Sequence, residues 1–276
     1  MLHNMTLIHV PHEGGTLAVE LTGIGPLVLC VPGMGETRAS FRHLAAGLTA
    51  RGFRVAAMDL RGHGDSSADF VQYDDEAAAR DVLAIIEHLG GGPAVVIGNS
   101  MGAAAAVIAA ATRPEAVDRL VLIGPFVRQH GGPVNQALMR TMFRVLIARP
   151  WGPAAWRAYY LSLFGTERPA DHDAHVAQTT ASLRRPGRWR AFQATTRTSH
   201  APAEAALPRV SAPTLVIMGD RDRDFPDPEA EARWIADAVR GEVRMIAGAG
   251  HYPMGEQPEY VLAALEHFME EGRTRG

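Results

Sequence analysis

Three short segments carry side chains that together could do acyl-transfer chemistry. Residues 98–102 read GNSMG, a G-x-S-x-G pattern centred on Ser100. Small residues on either side of a serine permit a sharp turn that leaves its hydroxyl exposed. A serine hydroxyl is a weak nucleophile until a base takes its proton. GAGHYP at 248–253 supplies one such base, His251. An imidazole used in this way needs a carboxylate on its other nitrogen, which fixes the tautomer and stabilises the imidazolium. GDRDRDFP at 219–226 offers three, Asp220, Asp222 and Asp224. Without its partners, a serine opening a helix is equally well a plain N-cap, so the surrounding elements decide.

Those elements follow a clear rhythm. Short β-rich runs alternate with amphipathic stretches, which predicts an α/β fold: a mainly parallel sheet with helices on both faces. TLIHV and TLAVEL flank PHEGG and read as an opening hairpin. Strands are expected at 26–32, 53–60, 93–98, 119–124, 213–219 and 242–246. Helices are expected at 38–51, 74–89, about 100–112, 228–239 and about 256–271. The strand 93–98 ends at Gly98 and a helix begins just past Ser100. That puts the serine at the carboxyl edge of the sheet, the edge where the aspartate loop and the His251 loop also emerge. From 126 to 210 no strand pattern occurs. The segment holds Trp151, Trp156, Tyr159, Tyr160 and Trp189 among prolines, and it is too long for a structureless loop in a compact domain. The expected organisation is a core in two parts, 1–125 and 211–276, interrupted by a helical cap at 126–210.

With these motifs in order, the chain from residue 26 onward resembles the α/β-hydrolase-fold superfamily. VPGMGETRASF (31–41) is similar to its oxyanion loop, DLRGHGDS (59–66) to its glycine-rich turn, MGDRD (218–222) to its acid loop, and GHYPMGEQPE (250–259) to its histidine loop. The resemblance implies a catalytic triad of Ser100, Asp222 and His251, the acid lying three residues after Gly219. It also implies an oxyanion hole built from the backbone N–H groups of Met34 and Met101. The family loop often reads His-Gly where this chain has Pro32-Gly33; the backbone donors survive that change, but hydrogen bonds from the histidine do not. His63 and Asp65, in the glycine-rich turn, are read as turn residues.

Composition sets further bounds. The 276 residues are 47% hydrophobic and 21% charged, suited to a packed soluble globule. All 27 basic residues are arginine, which excludes lysine chemistry such as a Schiff base. Cys30 is the one cysteine, so no internal disulfide forms, and a reducing, cytoplasmic setting is expected. No apolar run approaches the ~20 residues of a membrane span, and the N-terminal stretch lacks the pattern of a signal peptide. An overall charge of −3 without a recognition motif argues against nucleic-acid binding. No cofactor is expected, since neither a P-loop nor a G-x-G-x-x-G run is present. His172 and His175 have a ligand-like spacing but no evident third ligand, so no metal is expected. Charge is unevenly spread: residues 126–210 hold 12 arginines against four acids. The densest group, Arg184, Arg185, Arg188 and Arg190, is expected either to pair with the acidic body or to favour anionic substrates. The partner is a small-molecule substrate, and the expected reaction is hydrolysis of a carboxylic ester. Carbon–carbon bond hydrolysis of the meta-cleavage-product type, thioester hydrolysis and a hydrolase-like receptor or signalling role are the alternatives.

Overall fold

The computed structural model describes residues 5–129 and 131–273; the first four residues of the N-terminal segment, His130 and residues 274–276 lie outside the described residues. The chain opens with a hairpin, β1 (Thr6–His12) and β2 (Gly15–Thr22). Glu13 (φ 46°) and Gly14 (φ 79°) both take left-handed conformations, the two-residue turn whose twist matches that of the strands. Pairing therefore runs to His12 opposite Gly15, further than PHEGG as a loop suggests. Pro11 is tolerated because β1 is an edge strand.

Next come β3 (Leu27–Val31), a 3-10 turn (Arg38–Phe41), α1 (Arg42–Ala50), β4 (Arg54–Met58), α2 (Asp75–His88), β5 (Ala94–Asn99), α3 (Met101–Thr112) and β6 (Val117–Ile123). The helix expected at 38–51 is thus wound as 3-10 in its first turn. Between β6 and β7 the described residues form α4 (Pro133–Leu146), α5 (Gly152–Ser162), α6 (His172–Ser182), α7 (Arg188–Thr195) and α8 (Ala201–Ala206), without a strand. The chain then completes the sheet with β7 (Thr214–Gly219), α9 (Pro228–Val239) and β8 (Glu242–Ile246). It ends in α10 (Pro253–Glu256) and α11 (Pro258–Arg273). The last helix is split because Pro258 has no N–H to continue the preceding turn.

The eight strands lie in the order β1-β2-β4-β3-β5-β6-β7-β8. β1 and β2 are antiparallel to their neighbours and the rest are parallel. Every residue of β5 and β7 is buried, as continuous apolar runs must be when helices cover both faces. One core layer packs Val82 and Ile85 of α2, the alanines of α3 and Ile235 of α9 against the sheet. The other uses Leu44 and Leu48 of α1 with Val261 and Leu265 of α11. Helices α5 and α7 join this second layer through Trp156, Tyr160 and Phe192, with the Trp156 and Phe192 rings 4.6 Å apart. Helix α4 differs: Leu138, Met139, Met142 and Val145 are exposed.

Candidate active site

Ser100 sits between β5 and α3 with φ 56° and ψ −122°, a conformation that costs a non-glycine residue about 1–3 kcal/mol. The neighbouring ladder holds it there: the Ser100 N–H donates to the Ile123 carbonyl at 3.0 Å. A Cβ on Gly98 would collide with the backbone of Gly102 and Ala103, and one on Gly102 with the carbonyls of Val31 and Pro32. Glycine at both positions lets the first turn of α3 lie against the ends of β3 and β5. The Ser100 side chain does not cap α3, so its hydroxyl remains available. The Met101 N–H belongs to the first residue of that helix, where backbone donors lack intrahelical partners and the helix dipole favours negative charge.

Met34 presents its N–H from the loop after β3, with no hydrogen-bond partner among the described residues. The next residue, Gly35, donates its N–H to Nε2 of His63 at 3.0 Å, while His63 Nδ1 donates to the Arg61 carbonyl at 3.0 Å. Burial pushes His63 down to about 4, so it stays neutral and keeps Nε2 as an acceptor. Read from sequence as a turn residue, His63 also anchors the loop that carries Met34. The signal was present in DLRGHGDS, but its target lay 28 residues away. Asp65 is held by Arg38 and Arg185, and the Arg185 hydrogen bond leads in lowering its carboxyl pKa.

His251 is 1% exposed, and its Nδ1 lies 2.7 Å from Oδ2 of Asp222. Asp224 approaches the same nitrogen at 3.7 Å. Asp220 points elsewhere and accepts the Gly248 N–H at 2.7 Å. Burial opposes a charged imidazole, but Asp222, by charge and hydrogen bond, with Asp224 and Glu256, outweighs it and pushes His251 up to about 9. Asp224 takes a hydrogen bond from the Tyr159 hydroxyl, and burial raises its own carboxyl pKa. Two further residues, not singled out from sequence, fix the histidine loop. Glu256 accepts the N–H groups of Gly250 and Tyr252, each at 3.1 Å to Oε1, and that of Gly165 at 2.6 Å. Asn99 donates from Nδ2 to the carbonyls of Ile123 and His251.

Ser100, Met34 and His251 line one cavity of about 280 Å³, walled largely by Phe126, Phe143, Trp156 and Tyr252. Asp222 lies behind His251 rather than in the wall. A second histidine–aspartate pair borders the cavity: His200 Nδ1 is 2.7 Å from Asp75 Oδ2, and the Phe126 ring stands 5.8 Å from His200 and 5.7 Å from His251. No sequence motif flagged it, since the two residues are 125 positions apart. His172 packs edge-on against Phe164, and His175 turns Nε2 toward Tyr160 and Glu36. Among the described residues the three ligand-type groups that converge are Asp222, Asp224 and His251, and there the imidazole nitrogen is already committed to Asp222.

The arginine cluster of the insertion does not reach this cavity. Arg185 binds the Gly64 carbonyl and Asp65, Arg188 binds the Ser66 carbonyl, and Arg190 lies 3.8 Å from Asp69. Arg185 and Arg188 thus tie these helices to the glycine-rich turn, while the Arg190–Asp69 pair lies beyond it and is exposed. Arg184 is exposed. No helix among the described residues is long and apolar enough to cross a membrane.

A family profile described as the alpha/beta hydrolase fold matches residues 26–258. The chain is similar to the magnesium-chelatase 30 kDa subunit of Rhodobacter capsulatus, 31% identical over 242 residues that cover 78% of this chain and 76% of the relative. It is also similar to the 2-(acetamidomethylene)succinate hydrolase of Mesorhizobium japonicum, 28% identical, with 92% of each chain covered. Among solved structures, a thermophilic esterase from Thermogutta terrifontis with malate bound superposes with a TM-score of 0.78 at 26% identity, covering 97% of this chain and 98% of that one.

Proposed function

The chain belongs to the alpha/beta hydrolase fold family, and from that premise we propose that it is a serine hydrolase cleaving carboxylic esters through an acyl-enzyme. One observation carries this reading: Ser100, held at φ 56°, and His251, held by Asp222 at 2.7 Å, face the same cavity. Ser100 attacks the ester carbonyl while His251 takes its proton on Nε2. Asp222, on Nδ1, fixes that tautomer and stabilises the imidazolium. The negative charge forming on the carbonyl oxygen is met by the N–H groups of Met34 and Met101. His251 then gives the proton to the departing alcohol. Water, deprotonated by the same histidine, attacks the acyl-enzyme and releases the acid and the free serine. The insertion acts as a cap whose Phe143, Trp156 and Tyr159 close the apolar side of the site.

The likeness to an esterase structure supports ester over carbon–carbon cleavage. A panel of p-nitrophenyl ester, thioester and vinylogous diketone substrates, run on wild type and Ser100→Ala, tests the proposal. Ester turnover that is lost in the variant supports it; ester turnover that survives sinks it. The likeness to a magnesium-chelatase subunit favours a second reading, a hydrolase-fold component of such an assembly. Absence of Ser100-dependent turnover on the whole panel is the outcome that reading requires.

A further inference from the structure

Beside the catalytic cavity, the insertion forms a groove of about 880 Å³ between α4 and the end of α7. Its walls carry Arg140, Arg144 and Arg197 together with the exposed ring of Trp151. All three guanidinium groups lack a hydrogen bond or ion pair among the described residues, unlike Arg185, Arg188 and Arg190. Among the described residues no carboxylate lines the groove, and the sequence has none from residue 119 to residue 166. Arg140 and Arg144 are one helical turn apart, so they share a face of α4, and Arg197 joins them from a different element.

The groove adjoins the site. Arg140, Phe143 and Thr196 wall both the groove and the cavity that holds Ser100 and His251. A chain whose carbonyl sits at Ser100 and which leaves past Phe143 meets Arg144 and Arg197 further out. The apolar surface of Phe143 and Trp151 suits a hydrocarbon middle, and the planar guanidinium forks suit a carboxylate or phosphate oxygen pair. We propose that this groove is a subsite for an anionic group at the end of the substrate remote from the scissile ester. The substrate class is then an ester with an apolar linker ending in a carboxylate or a phosphate. The inference rests on the ester-hydrolase reading above.

The experiment compares p-nitrophenyl esters of matched chain length ending in methyl, carboxylate or phosphonate. It reads the ratio of kcat/KM for each anionic ester to the neutral one, in wild type and in Arg144→Gln/Arg197→Gln. The ratio is expected to favour at least one anionic tail by about tenfold in wild type. It should fall toward one in the double variant, and in wild type as salt rises. A gain for both tails marks a general anion subsite; a gain for one names the group. A wild-type ratio near one for both tails, or a ratio the double variant leaves unchanged, overturns the proposal. Turnover of the neutral ester, checked against Ser100→Ala, keeps the two readings apart. If that turnover depends on Ser100 while no anion preference exists, only the subsite falls.

Discussion

The side chain of Asn99 donates from Nδ2 to the backbone carbonyl of His251 at 3.2 Å, across 152 residues of sequence. The residue before the proposed nucleophile thus holds the loop that carries the proposed base. The same amide also donates to Ile123 at 3.0 Å, so strand β6 is tied into the junction. In Asn99→Ala the Ile123 carbonyl keeps the Ser100 N–H, but the His251 carbonyl loses the Asn99 donor, at a cost of about 1–3 kcal/mol where no water enters. Stability measured by urea denaturation should fall, and kcat should fall by about tenfold or more as the base loses its alignment with Ser100. Full stability together with wild-type kcat in this variant would show that the contact positions nothing.

The three aspartates of the acid loop separate by distance. Asp222→Asn should lower kcat by roughly 10⁴, since the amide favours the wrong imidazole tautomer. Asp220→Asn, which alters a turn contact to Gly248, should leave kcat within a few-fold. If Asp220→Asn were the crippled variant, the assignment of the acid would be wrong.

The pH profile follows from the same geometry. The working base is the neutral imidazole, and the carboxylates around His251 favour the charged form up to about pH 9. The neutral fraction therefore grows with pH, and kcat/KM should climb through the neutral range toward that value. Asp224→Asn removes one of the negative charges that favour imidazolium, so the rising limb should move to lower pH. A limb that stays in place, or moves upward, in Asp224→Asn contradicts this account of the histidine.

Glu256 makes a different test because it touches no reacting atom. It holds the N–H groups of Gly250 and Tyr252, the two neighbours of His251. Glu256→Gln keeps the shape but has a single acceptor oxygen on its side-chain amide, so part of this clamp is lost. A drop in kcat with little change in KM is expected for a positioning residue. A change confined to KM would place Glu256 in substrate binding instead.

Much of this was legible in the chain, for identifiable reasons. The strand–turn–helix around Ser100 has a local signature: an apolar run ending in glycine, then a small-residue helix. The alternation of strands and helices was readable because the parallel strands are continuous apolar runs. Boundaries moved where a local rule acted: Glu13-Gly14 shortened the hairpin loop, and Pro258 split the last helix. The clamps from Asn99, His63 and Glu256, and the His200–Asp75 pair, had no such signature. Each depends on residues that the fold alone brings together. The arginines illustrate the same limit. Sequence density pointed to residues 184–190, but Arg185 and Arg188 are engaged by the glycine-rich turn, while Arg140, Arg144 and Arg197 are scattered in sequence and meet at one groove.

The central claim is that Ser100 is an activated nucleophile, and covalent labelling tests it most directly. Wild-type protein treated with a fluorophosphonate, digested and analysed by mass spectrometry should carry the phosphonyl group on one peptide, at Ser100. Asp222→Asn should label far more slowly and Ser100→Ala not at all. Labelling at another serine, or equal labelling of wild type and Ser100→Ala, would contradict the account.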